Sequence, residues 1–479
     1  MSSTLPSRAK VAGAESSARG ANKSTKSVSA QNDMLVVPAC FTSVSFPAHT
    51  GLTIDQASTG DHLLIHQLLQ SVLGGPTQPQ FQAQLDYPLY EPADRLVARY
   101  GKQVVGHLLV AKSTANCLAE SLPIAVFHDL CVLPEFKGKG IKAALLNAAE
   151  IQARQEGAIF ALMRTGNPKP LMRAGWAAYG RYSYTRARAR DVLSHLAMLR
   201  DGREENVLPV VNAQSTASAA MTVRLWRHIE EAALLRLYDH MHCHLGLTIR
   251  NEAHWRWLIS TAGHDRIYIA IKGPDKLELE GQLDPIVGYA VVKDDRIIEL
   301  VSSPGHEDEV ALELLGRACR DAIERGANNL QMEAPTGSRV HQLLVAANGN
   351  HSVHEVDEGQ VTLAKLFEPF EYMQRIKPFI HQRAVQADIN YDLGLLMGED
   401  KLRITTTENS ITCTSNKMGR NYLQCSPNHF AQMLLGHIDV AEAVAANRIS
   451  ASTNVAVKQA TVLFPQMSIW RSAWDEIVR

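Results

Sequence analysis

The sequence predicts a mixed α/β (α+β) chain of three domains, and three observations carry that expectation. An apolar strand from Val126 to Leu133 runs through the basic, glycine-bearing turn PEFKGKGIK into a helix. The strand, helix and glycine pattern of the first half returns in the second half without that turn. From about Leu366 the pattern changes to short alternating strands followed by helices. At 479 residues and 46% hydrophobic, the chain has material for several cores.

Residues 1–50 form a basic Ser/Ala-rich tail carrying Arg8, Lys10, Arg19, Lys23 and Lys26. The tail lacks the apolar core of a secretory signal and is expected to be a disordered extension. The first domain, 51–200, opens with a strand near Leu52 and a helix over His62 to Leu73. Strands follow at Arg95 to Tyr100, Gln103 to Lys112 and Val126 to Leu133. Ile141, Ala144, Leu145, Ala148 and Ile151 recur at helical spacing, and Gly157 stands where that helix stops. Ala158 to Arg164 reads as a strand, Asn167-Pro168-Lys169-Pro170 as a break in regular structure, and Tyr182 to Ala187 as the strand that closes the sheet.

Residues 201–220, ending in NAQSTASAA, read as a linker. In the second domain, 221–365, Gly288 and Gly326 repeat the roles of Gly106 and Gly157. Glu307, Asp308 and Glu309 stand where the first copy has lysines. They suit a helix start but repel a diphosphate, so this copy is expected to be silent. The third domain, 366–479, has strands at Leu402 to Thr407 and Ser410 to Cys413, with helices over His429 to Leu435 and Val455 to Leu463.

The turn is suited to a diphosphate. Gly138 and Gly140 allow close backbone approach, the first helix amides point outward, and the helix dipole favours negative charge. Lys137, Lys139 and Lys142 add positive charge. The spacing is neither a P-loop, which needs Gly-Lys-Ser/Thr, nor GxGxxG. A net charge of -1 argues against nucleic-acid or membrane-surface binding by bulk electrostatics. No stretch is apolar for the thickness of a bilayer. Seven scattered cysteines without paired spacing fit a reducing cytoplasm.

The segment VLPEFKGKGIKAALL resembles the acyl-coenzyme A site of the GNAT acyltransferase superfamily. Two positions depart from that pattern: Lys137 stands where Arg or Gln is usual, and Lys142 where a small residue is usual. The resemblance implies acetyl-CoA as co-substrate, held by Leu130, Cys131, Val132, Lys137, Gly138, Lys139, Gly140, Ile141, Lys142, Ala143 and Asn167. The domain order, together with LYDHMHCHLGLTIRNEAHW, HFAQMLLGHIDVAEAVAANRIS and LFPQMSIW, resembles the Eis (enhanced intracellular survival) family over roughly residues 50–479. That implies two tandem GNAT folds followed by a sterol-carrier-protein-like domain. It further implies N-acetyl transfer to a primary amine of a small molecule or a peptide lysine side chain, and a homo-oligomer, a hexamer in that family.

An amine of pKa about 10.4 must lose a proton before it attacks a thioester. The Eis resemblance gives the base role to the terminal α-carboxylate, here that of Arg479. Asp129, alternating with Leu130 and Val132, is the substitute base, while His128 reads as a buried core histidine. The family's general-acid tyrosine, which lies shortly before Gly175-Trp176, is Leu171 here. The acid role then falls to Tyr179, Tyr182 or Tyr184, with Tyr182 taken as the candidate, or to water. Asp86, Glu91 and Asp94 are loop acids that suit a cationic amine. His240, His242, Cys243 and His244 form a metal-like cluster without a third ligand, and no metal is expected. Leu171 and the cationic chain end keep open a second class, a non-catalytic acyl-CoA sensor or assembly protein.

Overall fold

The structure, a computed structural model, describes residues 44–45, 51–118, 120–205, 221–240, 248–261, 263–273, 286–357, 359–388, 390–407 and 410–476. The rest of the expected tail, most of the expected linker, His242, Cys243, His244, Gly246 and Arg479 lie outside the described residues. In chain order the first part contains β1 (Val44–Ser45), β2 (Leu52–Gln56), α1 (His62–Leu73), α2 (Gln78–Leu85), β3 (Arg95–Tyr100), β4 (Gln103–Cys117), β5 (Glu120–Val132), α3 (Ile141–Gln155), β6 (Phe160–Thr165), α4 (Pro168–Arg173), β7 (Ala177–Ala178), β8 (Tyr182–Arg188) and α5 (Ala189–Glu205). The second part continues with β9 (Met221–Leu225), α6 (Glu231–Asp239), α7 (Glu252–Ser260), β10 (Arg266–Lys272), β11 (Ile286–Lys293), β12 (Arg296–Ser302), α8 (Glu307–Glu324), β13 (Asn329–Glu333), α9 (Arg339–Ala346), β14 (Asn350–His354), β15 (Val356–Asp357) and β16 (Gln360–Leu366). The third contains α10 (Pro369–Arg375), α11 (Lys377–Gln386), β17 (Asp392–Met397), β18 (Asp400–Thr407), β19 (Ser410–Ser415), β20 (Asn421–Cys425), α12 (Pro427–Leu434), α13 (Val440–Ala445), β21 (Ile449–Ala451) and α14 (Asn454–Leu463).

The architecture is mixed α/β. The first sheet runs β1-β2-β3-β4-β5-β6-β16-β15, with β7 also on β16; the second runs β14-β8-β13-β12-β11-β10-β9; the third runs β19-β18-β17-β20-β21. Tyr182–Ala187 therefore does not close the first sheet. Strand β8 lies between β13 and β14 of the second, and β16 from far along the chain takes the edge beside β6. The physical reason lies in what each strand buries. Ser183 and Thr185 of β8 bond the buried imidazole of His341 on α9 at 3.0 and 2.8 Å. Lys365 of β16 reaches Glu150 of α3 at 2.6 Å. The Asn167–Pro170 run also differs from expectation: Pro168 sits at the first position of α4, where its missing N–H costs no helix bond.

One core joins the first sheet to the third part: Ile124, Val126 and Leu162 pack with Tyr372, Ile380, Leu393 and Phe430. Asn428 and Gln432 of α12 donate to the carbonyls of Trp176 and Ala178 at 3.1 Å each. Among the described residues, no helix is long and apolar enough to cross a membrane.

A buried ion cluster fixes the end of the described chain. The Arg250 guanidinium, 0% exposed, donates to both Glu299 oxygens at 2.9 and 2.7 Å and to Asp475 Oδ1 at 2.9 Å. Tyr238 lies 4.0 Å and Trp474 5.1 Å from it, and Tyr289 donates to Glu299 at 2.7 Å. The segment after α14 is thereby bolted to β12. Burial alone raises the Asp475 carboxyl, but Arg250 and His254 outweigh it and hold the group well below the usual value of 3.8.

Arg250→Ala leaves two buried carboxylates without their cation and should cost about 3–5 kcal/mol, read from urea unfolding. An unchanged midpoint would show that the cluster is not structural. Because the folded pKa of Asp475 is depressed, its contribution is present above pH 3.8 and is lost as pH falls below it. The urea midpoint of the natural chain should therefore drop in that range, and that of Asp475→Asn should drop less.

Candidate functional site

Two strands that part create the site's central feature. β5 and β6 pair in parallel from Ile124 with Phe160 to Phe127 with Met163, yet β5 continues to Val132 and β6 to Thr165. A crevice between the carboxyl ends of parallel strands is where ligands of open α/β sheets bind. The divergence coincides with a bulge. The register against β4 shifts between His107 and Leu109, and Asp129 adopts φ 57°. His107 Nδ1 donates to the Asp129 carbonyl at 3.2 Å and holds the bulge. The alternation expected through Asp129, Leu130 and Val132 is broken there.

Beyond the strand, the turn has the geometry of an anion cradle. Gly138 and Gly140 adopt φ +80° and +77°, and a Cβ on either would meet nothing within 4 Å. Backbone conformation, not protein crowding, demands glycine here, and the space beside both is open. The first helix bond runs from the Ala144 N–H to the Gly140 carbonyl at 3.0 Å, so the amides of Ile141, Lys142 and Ala143 are the open set at the helix start. Lys137, Lys139, Lys142 and Ala143 are exposed, and Lys139 Nζ lies 4.5 Å over the Phe136 ring. The side chains of Cys131, Val132 and Ile141 are buried and Leu130 is half-buried, so the first three can offer only backbone. Asn167 is exposed ahead of α4, its N–H bonded to Thr165 Oγ1 at 3.1 Å. These donors and cations fit the diphosphate of acetyl-CoA.

The opposite face of the sheet carries a cavity of about 100 Å³. Phe127 packs 5.5 Å from Trp176, whose indole donates to Glu150 of α3, so Phe127 faces α3. Val126 and His128 consequently face away from α3 and line the cavity with Tyr87, Tyr90, Asp94 and Asp475. Three parts of the chain build it: the α2–β3 loop and β5, then His254 and Trp257 of α7, then the segment after α14. The Trp257 indole donates to Ala83 of α2 at 2.7 Å and fixes the first two against each other.

Carboxylates and cations both line the cavity, Asp94 and Asp475 with Lys112 and Arg471. Asp475, its side chain 3% exposed, spends Oδ1 on Arg250, while Oδ2 has no hydrogen-bond partner among the described residues. Asp94 is buried, which raises its carboxyl, and it pairs with Lys112 at 3.1 Å. Burial, then the charges of Asp475 and Asp94, push the Tyr87 phenol up to about 12.

Of the residues expected to act, Asp129 does not line this cavity, although His128, read as a core residue, does. Tyr182 and Tyr184 line a neighbouring cavity, with Tyr182 bonded to Thr362 at 2.9 Å; Tyr179 is buried there. Leu171 is 7% exposed and packs in the core. Asp94 reaches the cavity; Asp86 and Glu91 are exposed and do not line it, although Glu91 lies 3.5 Å from the lining Lys112. His240 is exposed with Nδ1 on the Arg236 carbonyl. Tyr87 and Asp475 were missed because neither belongs to a motif; the acids of the Asp86–Asp94 stretch are the one local signal that pointed toward Tyr87.

A splayed parallel pair, a glycine turn entering a helix and a cavity across the sheet define an acetyltransferase domain of the GNAT class. Residues 64–169 match the acetyltransferase (GNAT) family. Solved structures with the same fold include a GCN5-related N-acetyltransferase from Kribbella flavida, 14% identical, covering 88% of this chain and 97% of its own at a TM-score of 0.63. A GCN5-related N-acetyltransferase from Anabaena variabilis is 12% identical, covering 88% and 99% at 0.63. Eis1 from Mycobacterium abscessus is 14% identical, covering 88% and 99% at 0.57. No curated protein matches the chain.

Gly140→Val forces a β-branched residue into a left-handed conformation at the cradle and should raise the Kd for acetyl-CoA about tenfold by calorimetry. Unchanged affinity would show that the diphosphate lies elsewhere. One acetyl-CoA should bind per chain, because α8 begins with Glu307, Asp308 and Glu309.

Proposed function

We propose that the chain is an acetyl-CoA-dependent N-acetyltransferase acting on a primary amine of a small molecule or a lysine side chain. The observation that carries this reading is the parting of β5 from β6 after Phe127 and Met163, between a cationic cradle at the start of α3 and a cavity bearing Asp94 and Asp475 on the other face. Acetyl-CoA supplies an acetyl thioester, whose carbonyl carbon bonds the amine nitrogen as the C–S bond breaks. Leu130 and Val132 would line its path with backbone, and the turn from Lys137 to Ala143 would hold its diphosphate.

Within the cavity the chain's own groups divide the work. Asp475 is held ionised by Arg250 and draws the acceptor's ammonium; the same depression makes it a weak base. Proton removal is assigned to His128 on the cavity wall or to the α-carboxylate of Arg479, with Asp129 behind them. The Tyr87 phenol, pushed up to about 12, keeps its proton at neutral pH and suits hydrogen-bond donation to the departing sulfur. Tyr182 holds that role only if substrate reaches the neighbouring cavity.

The third part is read as sterol-carrier-like, with the task of delivering the segment that carries Asp475. The assembly is read as a homo-oligomer, so sedimentation should show a species well above the 52.7 kDa protomer.

Release of free thiol from acetyl-CoA across a panel of amines tests the activity. His128→Ala and deletion of 477–479 separate the two bases: the true one should lower kcat about 10²–10⁴-fold with acetyl-CoA affinity intact. Tyr87→Phe against Tyr182→Phe separates the acids. Tight acetyl-CoA binding without transfer to any amine would favour a sensor instead.

A further inference from the structure

Arg95 opens β3 and is fully buried, packed against Phe81 of α2, whose ring centre lies 4.7 Å from the guanidinium carbon. Its hydrogen bonds among the described residues go to neutral groups: Nε to the Tyr90 hydroxyl at 3.3 Å, Nη1 to His107 Nε2 at 3.2 Å and Nη2 to Gln84 Oε1 at 2.8 Å. A buried cation carries a desolvation penalty that an apolar side chain of similar volume avoids. What the guanidinium adds is direction, since its planar fork fixes where its partners stand.

Those partners belong to two sides of the reaction space. Gln84 and Tyr90 line the acceptor cavity, whereas His107 is fully buried behind it. Because a guanidinium only donates, His107 Nε2 accepts, which leaves the imidazole proton on Nδ1 for the Asp129 carbonyl at 3.2 Å. Arg95 thus selects the tautomer that holds the bulge. The strand register adds a further link: Arg95 pairs with Leu109 of β4, and Leu109 pairs with His128 of β5, so the three stand in one row on one face of the sheet. Leu109 and His128 both line the cavity.

We propose that Arg95 is a positioning residue for acetyl transfer: it holds the acceptor wall at Gln84 and Tyr90 and, through His107, the bulge at which β5 leaves β6. The assignment rests on the acetyl-transfer reading of the site. The thioester enters between the parted strands and the amine from the cavity, so the distance of attack depends on how rigidly bulge and wall are joined. A misplacement of about 1 Å can lower a rate about a hundredfold.

The test measures kcat, acceptor KM and acetyl-CoA Kd in the full-length chain, with an amine that the natural protein acetylates. Arg95→Lys keeps a buried cation and removes the fork, so kcat should fall about ten- to a hundredfold and acceptor KM should rise. Acetyl-CoA Kd should be unchanged, because the cradle at the start of α3 is untouched. The two arms should also separate. His107→Leu should lower kcat at unchanged acceptor KM, and in combination with Arg95→Lys it should lower kcat no further than the worse single change. Gln84→Met should raise acceptor KM, and Gln84→Glu, which keeps the oxygen that Arg95 holds, should restore it.

A role in folding alone predicts a lower urea midpoint with kcat and KM per folded molecule unaltered, and that result in Arg95→Lys overturns the proposal. Additive losses in the double variant overturn it as well. If Arg95→Lys or His107→Leu does not fold, the half-buried Gln84 decides: an unchanged acceptor KM in Gln84→Met sinks the proposal, and a rise reversed by Gln84→Glu supports it. A natural chain that acetylates no amine defeats the catalytic reading and the positioning role together, whereas an active natural chain with unaltered variants removes the positioning role alone.

Discussion

The fully buried guanidinium of Arg250 is the charge around which the functional half of the molecule is arranged. An isolated cation in that position would be prohibitively expensive, and the chain meets the demand from two distant places, Glu299 on β12 and Asp475 after α14. The consequence reaches the cavity. By occupying Oδ1 of Asp475, Arg250 fixes the last described turn against the second sheet, and Asp475 itself lines the space beside β5. The aromatic shell of Tyr238, Trp255 and Trp474 excludes the water that would otherwise weaken the arrangement.

The two faces of the first sheet carry different features. Lysines and open amides gather at the start of α3, and the cavity lined by Asp94 and Asp475 lies on the opposite face, with the parted ends of β5 and β6 between them. The bulge at Asp129 makes this possible, since it turns β5 away from β6 while the sheet upstream stays paired. His107, buried and kept neutral first by burial and then by the neighbouring Arg95, supplies the hydrogen bond that holds the bulge.

Local structure is legible in the sequence. The bounds of α1, β3 and α3 follow from apolar period and from glycines whose left-handed backbone is forced. The turn before α3 was legible because strand, glycine and helix stand in unbroken succession. Sheet membership was not. Alternation in Tyr182–Ala187 tells which side chains are buried, and it carries no information on whether β6 or β13 receives the strand. The bulge was invisible for a related reason: one inserted residue shifts the facing of its neighbours without altering composition. Tyr87, His254 and Asp475 reach one cavity from positions hundreds of residues apart, and only the packed structure brings them together.

The exchanged strands bear on the order in which the chain acquires its shape during synthesis. β6 lies next to the crevice, yet its outer neighbour β16 is encoded nearly two hundred residues later. Until that stretch has left the ribosome, β6 presents an unsatisfied edge and β8 waits for partners that have not been made. Each sheet therefore takes its final composition only when both halves of the chain are present. An insertion between the two halves would have to preserve two crossings at once.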